Sequence, residues 1–94
     1  MLCEVQIIDG RRFIDQDEAL SILAEGPYEC QLYEVLNWIG GTRHRIDFTR
    51  NGELVVRVQA KRKVDVMEAL FLSPDLRLRL AGGMQRIDTR SRFR

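Results

Sequence analysis

The sequence predicts an α+β domain: a small antiparallel sheet built on a central β-hairpin at about 43–59 plus an N-terminal strand, with two to four helices packed on one face. Three observations lead there. His44, Ile46 and Phe48 alternate with polar residues, Leu54, Val56 and Val58 alternate likewise, and Asn51-Gly52 lies between the two runs. Asp15 stands three residues before Glu18, ahead of the apolar stripe Ala19, Leu20, Ile22 and Leu23. Residues 3–8 alternate loosely and end at the turn pair Asp9-Gly10. A chain of 94 residues is one domain and can bury a modest core without disulfide or metal staples. The compact unit spans 1–84, and the Arg-rich tail 85–94 is expected to be mobile unless bound.

Each element has a local cause. Asp15 caps the first helix, its stripe faces the sheet, and Gly26 stops it. Pro27 suits the first turn of a second helix. Leu32, Val35, Leu36 and Ile39 follow i, i+3, i+4, i+7 up to Gly40-Gly41; a strand through Tyr28–Val35 is the weaker alternative. A third helix is expected at about Val64–Leu72, with Val64, Met67 and Phe71 inward. Ser73-Pro74-Asp75 reads as the cap and first turn of another helix. Leu76, Leu78 and Leu80 nevertheless alternate as in a strand, so residues 75–81 stay open between the two.

The hairpin register decides which side chains meet. A two-residue Asn51-Gly52 turn pairs Phe48 with Val55 and throws Leu54, Val56 and Val58 onto the face opposite Ile46. A one-residue slip inverts a strand's whole apolar set, so burial disfavours that register. A three-residue loop, Arg50-Asn51-Gly52, pairs Phe48 with Leu54, Ile46 with Val56 and His44 with Val58. It also sets Arg45 directly opposite Arg57, and like charges across a strand pair are destabilising. A shared anion should then neutralise them: Asp47, another carboxylate of the chain, a partner's carboxylate or a phosphate.

Charge is divided along the chain. Residues 1–40 carry eight carboxylates against Arg11 and Arg12, a net of −6; residues 41–94 carry thirteen basic groups against six acidic ones, a net of +7. This points to a basic face for an anionic partner, or to complementary surfaces that meet in an assembly. Arginine outnumbers lysine thirteen to two, which favours planar recognition of carboxylate or phosphate.

Several chemistries lack their residues. The sequence has no Gly-rich phosphate loop, no HExxH and no nucleophile elbow. Its serines are Ser21, Ser73 and Ser91, and Ser73 is better used as a cap. His44, the one histidine, falls on the core side of its strand, where a hydrogen-bonded structural imidazole is expected. Cys3 and Cys30 are too far apart for CxxC chemistry or a Cys₄ zinc site and read as reduced and buried. Asp15-Gln16-Asp17-Glu18 lacks the glycine and distal Glu of a calcium loop and is explained by the helix dipole. The expectation is a protein that is not an enzyme, with no cofactor and no metal. No run of apolar residues is long enough to span a membrane and no secretory leader is read at the N-terminus, so the expected setting is cytoplasmic or the interior of a host cell. Lys61-Arg62-Lys63 is read as a solvated helix entry, not an import signal.

In element order, residues 15–60 resemble a winged helix-turn-helix: helix, helix, basic hairpin. The resemblance implies a wing carrying Arg43, Arg45 and Arg50. The second helix would present Glu29, Gln31, Glu34 and Asn37 to the groove, poor chemistry for phosphates.

The preferred function is protein–protein binding or assembly, a profile shared by small phage or mobile-element inhibitors and adaptors. A homo-oligomer is expected, with partner contacts at Arg43, Arg45, Arg57, Lys61, Tyr33 and Trp38. The alternative is a nucleic-acid module that uses Arg43, Arg45, Arg50, Arg57, Arg90, Arg92 and Arg94.

Overall fold

The computed structural model describes residues 5–37 and 41–90. It is a mixed α+β domain with a six-stranded sheet and three helices. The strands are β1 (Gln6–Asp9), β2 (Arg12–Phe13), β3 (Glu29–Leu36), β4 (Thr42–Arg50), β5 (Glu53–Ala60) and β6 (Gln85–Asp88), and the helices are α1 (Gln16–Leu23), α2 (Lys63–Glu68) and α3 (Pro74–Gly82). Their order across the sheet is β2-β1-β5-β4-β3-β6. All neighbours are antiparallel except β3 and β6, which run parallel.

The β4–β5 hairpin lies at the centre, and its register corrects the sequence reading. Arg50 pairs with Glu53, so the loop is the two-residue Asn51-Gly52 turn. Both residues have positive φ, 55° and 80°, as a type I′ turn demands. The face problem is solved farther along. The register shifts between Phe48 and Thr49: Thr49 pairs with Leu54 and Phe48 with Val56, leaving Val55 as the extra residue of a β-bulge. Ile46 then pairs with Val58 and His44 with Ala60. Ile46, Phe48, Val56 and Val58 share the buried face as expected, but Leu54 pairs with Thr49 and is 37% exposed, and the core pairs are displaced by two residues from the three-residue-loop register.

The second expected helix is strand β3, paired with β4 from Glu29–Thr49 to Leu36–Thr42. Its helical spacing coexists with alternation, since Leu32 and Leu36, four residues apart, also share one face of a strand. β4 pairs with all of 29–36 and β6 with 33–36, and that tertiary gain outweighs the local helical pattern. The winged-helix element order therefore does not hold. The tail expected from residue 85 begins as β6, so the sheet is not purely antiparallel; Arg92 and Arg94 lie outside the described residues.

Helix caps follow the sequence closely. Asp15 accepts a hydrogen bond from the Glu18 amide at 2.8 Å, and Ser73 accepts from the Leu76 amide at 3.2 Å. The second cap decides residues 75–81 in favour of helix. Gln16 also ties α1 to the end of α2 by donating to the Ala69 carbonyl.

The core lies between one sheet face and the helices. Ile7, Leu32, Ile46, Phe48, Val56, Val58 and Ala60 of the sheet meet Ala19, Val66, Met67, Leu70 and Leu80 of the helical layer. α1 packs near β1, α2 across β4 and β5, and α3 against β3. The inward residues are thus Val66 and Met67 of α2 and Leu70 of the turn after it, not Val64, Met67 and Phe71, and the helix ends at Glu68 instead of reaching Leu72. Val64 is 46% exposed and Phe71 77%. Residues 64–72 are apolar on two sides of the helix, and only one side can face the sheet.

Two changes test the register. Ile46→Ala, at a fully buried position, should cost about 3 kcal/mol in urea unfolding. Deleting Val55 removes the bulge without moving any core residue to the other face. Cross-strand NOEs between Ile46 and Val58 should persist in that variant; their replacement by Ile46–Arg57 contacts would contradict the bulge account.

Candidate functional site

Two surfaces carry unusual chemistry. The first is the sheet face opposite the core, to which alternation turns the odd-numbered residues of β3 and β4. One row crosses five strands as Gln6, Gln59, Arg45, Tyr33 and Gln85. The next row holds Phe13, Ile8, Arg57, Asp47 and Gln31. Arg43 lies beyond, level with Val35 and Ile87.

Because of the bulge, Arg57 lies opposite Asp47, not opposite Arg45. Its Nε donates to Asp47 Oδ1 at 2.8 Å and a terminal nitrogen donates to Oδ2 at 3.1 Å, a bidentate pair. Asp47 is only 8% exposed, the one buried charged residue among those described. Hydrogen bonding to Asp47 raises the Arg57 guanidinium above its usual pKa, against the opposing effect of partial burial.

Arg45 fares differently. Its Nε is 3.6 Å from Asp47 Oδ1, beyond a hydrogen bond, and this buried Nε has no hydrogen-bond partner among the described residues. Its guanidinium lies over the Tyr33 ring, 5.0 Å from the centroid, a cation–π contact. One carboxylate therefore serves two guanidiniums unequally.

The other residues singled out from the sequence disperse. Arg50 lies over the ring of Tyr28, 4.7 Å from its centroid, and is not a neighbour of Arg45. Arg90 pairs with Asp88 at 3.0 Å. Lys61 is exposed just after β5. Trp38 lies outside the described residues, and Tyr33 sits on strand β3.

His44 is hydrogen-bonded, as expected. Nδ1 donates to the Lys61 carbonyl at 3.0 Å, and Nε2 is 3.9 Å from Glu34, which also accepts from Arg86 Nε at 2.8 Å. Cys30 pairs with Phe48 while His44 pairs with Glu34, so the thiol and imidazole are about 13 Å apart along the strands. Burial pushes the Cys30 thiol pKa up, although Arg79 acts in the opposite sense. Among the described residues no cluster of His, Cys, Asp and Glu could hold a metal ion, and no helix is long and apolar enough to cross a membrane.

The second surface was not foreseen. Val64, Met67, Pro74 and Leu78 line a groove between α2 and α3, with Lys63, Glu68 and Arg77 at its margin. Phe71 stands beside it against the same Glu68 and Arg77. Leu78 is 73% exposed. Arg77 approaches Glu68 only to 3.9 Å, and its Nε is buried without a hydrogen-bond partner among the described residues. Phe71 also has φ 52°, a left-handed conformation that disfavours bulky side chains. Two sequence signals pointed here: apolar residues on both sides of 64–72, and the Leu76-Leu78-Leu80 alternation, which on a helix must turn one leucine outward.

Asp47→Asn should destabilise the domain by about 2 kcal/mol in urea unfolding, below the usual figure for a broken buried pair because Arg57 is partly solvated. Arg12→Gln, which breaks an exposed contact to Glu18, should leave unfolding unchanged; equal effects would deny Asp47 its special place. Comparisons with protein-family models, curated proteins and solved structures return no match.

Proposed function

We propose that this chain is a small protein-binding assembly protein that associates with copies of itself through the apolar surface where α2 meets α3. One observation carries the reading: Phe71 holds a 77% exposed ring in a left-handed conformation, beside the exposed Leu78. Exposure forgoes hydrophobic stabilisation, and the backbone conformation adds roughly 1–2 kcal/mol of strain. Non-glycine residues held this way cluster at active sites, ligand clamps and switch regions, and an exposed aromatic ring is the kind of residue enriched in protein interfaces.

The surface is complementary to itself. It offers knobs, Phe71 and Leu78, and a groove floored by Val64, Met67 and Pro74. Its margin carries both signs, Lys63 and Arg77 against Glu68. In a two-fold contact each patch meets its own copy, so acid can face base across the axis. The acids of α1, Asp17 and Glu18, and the bases of α3, Arg77 and Arg79, add long-range attraction between copies. This assigns self-contact to a different surface from that of Tyr33, Arg45 and Arg57, where a second copy would bring arginines against arginines.

Light scattering should give a mass near twice the 11.0 kDa chain at high protein concentration. Phe71→Gly should return it to one chain. The same variant should raise the melting temperature of the monomer by about 4–8 °C, because it removes strain of about 1 kcal/mol and loses little burial. Leu78→Lys should also abolish association. A single-chain mass for the parent at every concentration would refute the proposal.

A further inference from the structure

We infer that the helix-free face of the sheet binds single-stranded nucleic acid, with Arg43 and Arg45 on the phosphates. This goes beyond self-association and uses the opposite side of the molecule.

The first argument is charge. The centre of this face carries Arg43, Arg45 and Arg57 against Asp47, with Glu29 only at the far end of β3. Both Asp47 oxygens are taken by Arg57. Arg45 is left with a 3.6 Å approach and no hydrogen bond from Nε. Arg43 has no ion pair among the described residues. Three guanidiniums share one carboxylate, with Arg43 unpaired among the described residues and Arg45 only loosely paired, which calls for a further anion; two such faces repel each other, so a second copy is not the occupant.

The second argument is spacing. Arg43 and Arg45 are two residues apart on the same side of β4, about 6.7 Å. That is close to the step between successive phosphates of an extended strand. Arginine's planar fork suits phosphate oxygens.

The third is the row that crosses the sheet. The Arg45 guanidinium rests on Tyr33 with one face, and its other face can receive a base, a common mode for unpaired bases. Gln6, Gln59 and Gln85 continue the row on either side. Gln59 donates to Gln6 at 2.8 Å, which leaves further amide donors and acceptors for base edges. A carboxylate-rich peptide would use the arginines but not this stacking row. A duplex fits worse, since the major groove admits a helix or a two-stranded ribbon and not a face five strands wide.

The test is fluorescence anisotropy with labelled oligothymidine and oligouridine, a duplex of equal length and polyglutamate. The single strands should bind at about 50 mM salt, with log K falling by about 0.7 per phosphate contact against log salt. Arg43→Gln and Arg45→Gln should each weaken binding about tenfold and flatten that slope by about 0.7. Arg50→Gln should change nothing. Arg43→Gln removes no described contact, so its effect cannot be attributed to misfolding. Phe71→Gly should bind per chain as the parent does, which separates this inference from self-association. No binding of either single strand overturns it, as does equal weakening by Arg50→Gln. Polyglutamate or duplex binding as tight as the single strands also overturns it, in favour of an acidic protein or duplex partner.

Discussion

Val55 is the extra residue in the central hairpin, and the side chains of both sheet faces fall where they do because of it. The Asn51-Gly52 turn suits two strands joined by two residues, whereas the apolar pattern of β4 and β5 requires the opposite parity. A bulge reconciles the two by setting Leu54 and Val55 against Thr49 alone. Below it, Ile46 meets Val58 and Phe48 meets Val56, and the buried face is continuous with Leu32 on β3 and Ile7 on β1. If Val55 were instead paired in a regular ladder, Val56 and Val58 would turn to solvent.

The same offset arranges the charges. It brings Arg57 opposite Asp47 and moves Arg45 opposite the neutral Gln59. A facing pair of arginines becomes a bidentate ion pair with a second arginine at its margin. Arg45 then finds the Tyr33 ring, because β3 is a strand and not a helix. Local turn chemistry, the parity of burial and the electrostatics of the open face are thus linked through one inserted residue.

The helical layer has the opposite difficulty, an excess of apolar side chains. Residues 64–72 and 76–80 hold more of them than a three-helix layer on one sheet face can bury. Val66, Met67, Leu70 and Leu80 reach the core. Val64, Phe71 and Leu78 do not, and they gather around the α2–α3 groove. Two segments that each present one apolar side too many place those sides next to each other, which a purely structural demand for burial does not require.

The sequence by itself determined the features that depend on a few adjacent residues. Asp15 and Ser73 cap helices because a side-chain oxygen within three residues of a free amide needs no distant partner. Asn51-Gly52 turns the chain because both tolerate positive φ. The buried residues Ile46 and Phe48 of β4 and Val56 and Val58 of β5 follow from alternation. Tertiary structure decided the rest. Residues 29–36 carry helical and strand spacing together, and the vacant edge of β4 selects the strand. The bulge was not legible, because one inserted residue and a longer loop restore parity equally well on paper. The choice sets Arg57 against Asp47 instead of Arg45, and so the chemistry of the open face. Which side of residues 64–72 faces the sheet was equally undetermined, since Val64-Met67-Phe71 and Val66-Met67-Leu70 are both apolar. Contact with β4 and β5 chose the second stripe and left Phe71 in water.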